Sequence, residues 1–130
     1  MNFFAAINSG FIRFADFKGR SVRSEFWFWV LFIFVAELII SWLLDFTFVG
    51  LVLERIVGHF LFVVLPTLLG LVMVVPNLAV SARRLHDTGR SAWNLLWLLL
   101  PIIGWVVLIV FYCLPSEPRK NRFGKPSRVG

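Results

Sequence analysis

Charge is scarce in this chain. Only 15% of its residues are Asp, Glu, Lys or Arg, against about 25% in an ordinary soluble domain. Apolar residues make up 59%, and the mean hydropathy is +0.85. So little polar material cannot dress a water-facing surface, which argues against a soluble globular fold. Acidic residues are the rarer sign: seven, against 13 Lys and Arg, for a formal net charge of +6. Beside long apolar runs, that excess points to anionic lipid headgroups and away from nucleic acid. A lone cysteine, Cys113, excludes an internal disulfide and reads as a small apolar residue. No basic residue precedes the short run Phe3–Ile7, so no cleavable signal is expected. Phosphate-binding glycine loops, nucleophile elbows, paired-cysteine metal sites and zinc-binding helix motifs are all missing. No cofactor, no metal and no enzymatic activity are therefore expected.

Three runs are apolar and about 20 residues long, enough for a membrane-spanning helix. They are 26–44, interrupted by Glu37; 60–80, with Pro66 and Pro76; and 93–114, with Pro101 and Gly104. Residues 1–18 place Phe3, Phe4, Ile7, Phe11 and Phe14 at roughly helical spacing, which predicts an amphipathic interfacial helix. Residues 45–59 form a poorly charged connection, whose apolar stretch 46–53 can extend the second helix. Residues 115–130 make a basic, largely irregular tail. The fold class is all-α integral membrane, one domain over 1–130.

Basic residues concentrate on cytoplasmic loops. Arg13, Lys18, Arg20 and Arg23 precede the first run, and Arg83, Arg84 and Arg90 follow the second. Both clusters are expected on the cytoplasmic side, with 45–59 outside. The tail then conflicts, because Arg119, Lys120, Arg122, Lys125 and Arg128 would lie outside after a third crossing. A re-entrant hairpin bent at Pro101 and Gly104 removes the conflict. The length of 93–114 fits one crossing, and this favours a kinked span.

The densest polar string is Arg83-Arg84-Leu85-His86-Asp87-Thr88-Gly89-Arg90-Ser91. Arginine forks suit phosphate or carboxylate. Arg20, Arg23, Arg83, Arg84, His86 and Arg90 are therefore candidates for an anionic site, against the plainer role of a topology-fixing loop. Glu25 at the membrane edge is expected to pair with an arginine of 83–90, and Asp87 to brace that loop through backbone N–H groups. His86 beside Asp87 lacks further ligands at a characteristic spacing, so metal or catalytic work is disfavoured. Glu37 lies mid-span, where an ionisable group is expensive unless paired; Thr67, Asn77 and Arg55 are candidate partners. Trp27, Trp29, Trp42 and Trp93 suit interfacial belts, and Trp97 and Trp105 are expected to pack. Gly19-Arg20-Ser21 and Gly89-Arg90-Ser91 repeat one interface pattern, with glycine ending a turn and serine capping a helix.

The stretches Phe17-Lys18-Gly19-Arg20, Arg23-Ser24-Glu25-Phe26-Trp27 and Arg83–Trp93 resemble the family called domain of unknown function 805. The likeness continues through Pro101, Gly104, Cys113 and Asn121-Arg122-Phe123-Gly124. Ser116-Glu117-Pro118-Arg119 departs from the family's usual glycine-rich turn. The resemblance implies a small multi-pass protein of the bacterial inner membrane and implies no reaction. The leading expectation is a non-enzymatic binding or assembly protein whose cytoplasmic rim meets anionic lipid or a partner. The alternative is a small oligomeric channel or transporter using Glu37, with homo-oligomerisation left open.

Overall fold

The computed structural model describes residues 1–46 and 48–126. Among them lie α1 (Phe3–Ile12), α2 (Arg23–Phe46), α3 (Phe48–Asp87), a 3₁₀-helix (Ala92–Leu99) and α4 (Ile103–Cys113), with no strand beyond an isolated Asn121–Gly124 bridge.

Asn2 caps α1, its side chain accepting from the Ala5 N–H at 2.8 Å. Ala6 and Gly10 are buried, and a Cβ on Gly10 would collide with the Trp29 ring. These small residues let α1 approach α2, where Phe11 meets Trp29 and Phe32 edge-on at 5.3 and 5.8 Å. The helix ends at Ile12, short of the expected residue 18. Beyond it, Asp16 Oδ1 accepts from the Lys18 N–H at 2.9 Å, and Arg13 Nε donates to Asp16 Oδ2 at 2.9 Å. Side chain–backbone bonds of this kind compete with helix continuation.

Two helical stretches, Arg23–Trp42 and Pro66–Asp87, are long and apolar enough to cross a membrane. The connection read at 45–59 is helical over its described part, because α2 runs to Phe46 and α3 begins at Phe48.

The third apolar run does not form one span, contrary to what its length favoured. It breaks into the 3₁₀-helix and α4, joined by Leu100-Pro101-Ile102. Ser91 caps the first arm, accepting from the Trp93 N–H. Pro101 brings no N–H to the bend. Ile102 turns the chain at φ 66°, and the Ile103 N–H donates to Pro101 O at 2.8 Å. Gly104 lies against the Trp97 carbonyl, where any Cβ would collide. Trp105 Nε1 donates to Leu98 O across the arms at 3.3 Å. The arms run antiparallel, so Tyr112 and Leu114 return to Arg84, at the end of α3 from which Arg90 leads into the first arm. The segment is a helical hairpin, with Pro101 and Ile102 at its bend.

The core sits where hairpin and long helices meet: Phe26 and Trp29 of α2, Val80 and Leu85 of α3, Leu108 and Tyr112 of α4. Trp29, read as a belt residue, is buried there and donates to Asn77 Oδ1 at 2.8 Å. Trp97 and Trp105, expected to pack, are exposed.

Candidate functional site

The polar residues of the sequence clusters converge at the end of α3. Arg83, Arg84 and Asp87 are each 0% exposed, Glu25 2% and Arg20 4%. Burial of five ionisable groups is tolerable only where each is answered by opposite charge or by hydrogen bonds.

Asp87 answers two arginines. Arg20 Nε donates to its Oδ1 at 2.8 Å, and Arg84 Nη1 donates to its Oδ2 at 2.6 Å. The expectation for Asp87 was backbone capping; the structure gives its carboxylate to these two side chains. Arg84 spends its other donors on the carbonyls of Tyr112, at 3.1 Å from Nε, and Leu114. The end of the hairpin is thereby tied to the end of α3. Near a helix C-terminus the carbonyl dipoles also favour such cations.

Arg20 has the widest reach. Besides Asp87 Oδ1, its guanidinium donates to the carbonyls of Asp87 (3.2 Å), Glu117, Arg119 (2.9 Å) and Gly124 (3.5 Å). The planar fork of arginine serves several acceptors at once, which a lysine ammonium cannot. Gly19, at φ 83°, places the residue there. The tail is held further by the Glu117 N–H donating to Asp87 O at 3.0 Å and by Asn121 Nδ2 donating to His86 O and Glu117 Oε2 at 2.9 and 2.7 Å.

A second node ties α1 to α2 and α3. Glu25 Oε1 lies 3.7 Å from Arg83 Nη2 and accepts from Ser9 Oγ at 2.6 Å. Arg83 Nη1 donates to the carbonyls of Arg13 and Asp16 at 3.1 and 3.2 Å. Glu25 and an arginine of the 83–90 string are thus in contact. The two nodes are joined through backbone, with the Ser21 N–H donating to Arg83 O at 3.1 Å. Outside the helices, Asp16 would be raised by burial, but the Lys18 N–H and the Arg13 guanidinium outweigh that, and its carboxyl lies below the usual value.

The five arginines and the histidine read as an anionic site therefore divide. Arg20, Arg83 and Arg84 are interior and engaged with protein acceptors. His86 Nδ1 is 3.2 Å from Gly19 O, and its ring stacks on Phe123 at 3.9 Å and 7°. Arg90 is half-buried with its guanidinium 4.2 Å above the Phe111 ring. Arg23 is exposed. Of the repeated Gly-Arg-Ser pattern, both glycines take positive φ, but only Ser91 caps a helix, and Ser21 Oγ is buried without a hydrogen-bond partner. Glu37 is not brought to this site. It lines a groove of about 310 Å³ with Phe34, Asn77 and Ser81, while Asn77 Oδ1 serves Trp29 and Thr67 Oγ1 donates to Val63 O. Arg55 is exposed, and Arg128 lies outside the described residues.

Sequence reasoning missed Ser9, Glu117 and the tail carbonyls. Backbone acceptors leave no residue signature. Asn121-Arg122-Phe123-Gly124 was the one trace, since Asn121 and Phe123 both touch His86.

Comparison with known proteins agrees with this geometry in extent. A family model described as protein of unknown function (DUF805) matches residues 14–125. The chain is 39% identical over 116 residues to inner membrane protein YhaH of Escherichia coli (strain K12), covering 89% of this chain and 90% of that one. Inner membrane protein YhaI of the same strain is 37% identical over 118 residues, covering 90% of each. The uncharacterized protein YiiR is 33% identical over 94 residues, covering 72% of this chain and 53% of its own length. No solved structure matches. With the family match spanning both polar clusters, the hairpin and the tail, this chain belongs to the DUF805 family.

Proposed function

We propose that the chain is a non-enzymatic, multi-pass inner-membrane protein that binds anionic headgroups or an acidic partner through a rigid basic face. The observation that carries this reading is how the fold sorts charge. Glu25 and Asp87 are spent on buried arginines, Asp16 is tied to Arg13, and Glu117 accepts from Asn121. Lys18, Arg23, Arg119, Lys120, Arg122 and Lys125 remain exposed at the same end of the molecule. Cations near an anionic surface contribute about 1 kcal/mol each. The outward cations, rather than the interior arginines, are then the binding groups, and the interior network holds them in register.

The test is native mass spectrometry of the full chain from mixed phosphatidylcholine and phosphatidylglycerol nanodiscs. The triple variant Lys120→Gln, Arg122→Gln, Lys125→Gln should retain fewer phosphatidylglycerol molecules than the wild type. An unchanged ratio of anionic to zwitterionic lipid would sink the reading.

Glu37 favours a second reading. A carboxyl open to a groove at mid-span is costly in hydrocarbon. Assembly of several copies into a conduit would give it a polar surrounding. Cation flux into liposomes that vanishes in Glu37→Gln would select this reading.

A further inference from the structure

The hairpin presents an apolar surface out of proportion to the rest of the rim. Leu99 is 76% exposed, Ile102 72% and Ile103 69%, all at or beside the bend, and Trp93 at the base is 77% exposed. Its two ends are pinned at one level. Arg90 follows α3 directly, its N–H donating to Leu85 O at 2.9 Å, and Arg84 holds the Tyr112 and Leu114 carbonyls. The bend is therefore the free end.

Length fixes how far that end reaches. Eight residues of 3₁₀-helix rise about 2.0 Å each, giving roughly 16 Å. Eleven residues of α-helix rise about 1.5 Å each, giving again roughly 16 Å. The hydrocarbon core of a bilayer is about 30 Å thick, so each arm matches half of it.

Much of the backbone polarity at the bend is answered within the hairpin. The Leu100, Ile103, Gly104 and Val106 N–H groups donate to Trp97 O, Pro101 O, Leu100 O and Ile102 O. Pro101 has no N–H to satisfy, and the indole N–H of Trp105 is taken by Leu98 O. An unanswered backbone group is costly in hydrocarbon, and these bonds remove most of that cost at the bend. The bend also holds Ile102 at φ 66°, a strained backbone for a β-branched residue.

We propose that the Ala92–Cys113 hairpin is a single-leaflet wedge whose partner is the acyl chains of the rim-side leaflet, with its tip at the bilayer midplane. α1 and both arms add cross-section beside α2 and α3 on that side, and among the described residues the shared cluster takes nothing from α2 beyond Ile33. The molecule is broader in the rim-side leaflet than in the other. It expands that leaflet and favours membrane convex toward the rim. Wedge and headgroup binding are separable, because the wedge needs no anionic lipid.

The experiment uses the full chain in vesicles of phosphatidylcholine alone. Leu99→Cys and Trp93→Cys, each with Cys113→Ala, are labelled with an environment-sensitive fluorophore and quenched by lipids brominated at different acyl depths. The tip label should be quenched most by bromines near the chain ends, the base label most by bromines near the headgroup, and the tip label should ignore aqueous quencher from either side. Protein density should be about twofold higher on small sonicated than on large extruded vesicles. Shallow quenching of the tip label overturns the proposal, as does quenching from the face opposite the rim. Disulfide-linked dimers through Leu99→Cys at low protein-to-lipid ratio would give the surface to a second copy instead. Equal density on both vesicle sizes would also contradict the wedge.

Discussion

Arg20 and Asp87 lie 67 positions apart in the chain, yet Nε of the one donates to Oδ1 of the other at 2.8 Å, with both side chains at most 1% exposed. Around this pair the turn before α2, the end of α3 and the tail are fastened together. An ion pair so enclosed is weak evidence of net stabilisation, but removing one partner strands the other.

Asp87→Asn should be the most damaging conservative substitution, since it leaves both Arg20 and Arg84 without their carboxylate. A loss on the order of 3–5 kcal/mol is expected for breaking a buried pair, read as a lowered melting temperature in mild detergent. Adding Arg84→Gln to Asp87→Asn should cost less than the separate losses summed, because the two side chains share one contact.

Glu25→Gln combined with Arg84→Gln should behave differently. Glu25 answers Arg83, and Arg84 answers Asp87, with no shared side-chain partner. Their effects on melting should add to within about 0.5 kcal/mol, as for sites without common partners. Strong coupling would merge the two nodes into one network.

Arg20→Lys should free the tail while leaving the helices folded. A lysine retains the charge but cannot span Asp87 and three tail carbonyls. Limited trypsin digestion in detergent should cut after Arg119 and Lys120 sooner than in the wild type. Equal cleavage rates would show that Asn121 and the Glu117 N–H hold the tail unaided.

Gly104→Ala places a methyl against the Trp97 carbonyl. Overpacking of this kind costs about 1–3 kcal/mol, so the hairpin should melt at lower temperature. Gly70→Ala, which meets nothing within 4 Å, is the control and should leave melting unchanged or slightly raised.

How much of this was legible in the residues follows from what each signal encodes. Apolar run length located α2 and the apolar part of α3, because lipid imposes one requirement on every spanning helix. The basic clusters marked the rim, and Glu25 was legible as the mate of an arginine in 83–90. Their burial was not legible, since an arginine facing headgroups and one spent on Asp87 look alike in sequence. The hairpin was legible as an alternative but not favoured, for a related reason. Counting residues across 93–114 assumes one continuous helix, and nothing local except Pro101 and Gly104 announces that half of the segment is 3₁₀ and the rest turns back. The basic tail did carry that information, as an unresolved conflict with the positive-inside tendency.

One buried clamp holds the turn at Arg20, the end of α3 and the tail on a single face. Single cysteines Lys18→Cys and Lys120→Cys, each with Cys113→Ala, report on that face in whole cells. Both should resist a membrane-impermeant maleimide until the inner membrane is permeabilised, and then label together. Labelling of Lys120→Cys in intact cells, with Lys18→Cys still protected, would rule out a shared face, because the segment 93–114 would then cross the membrane.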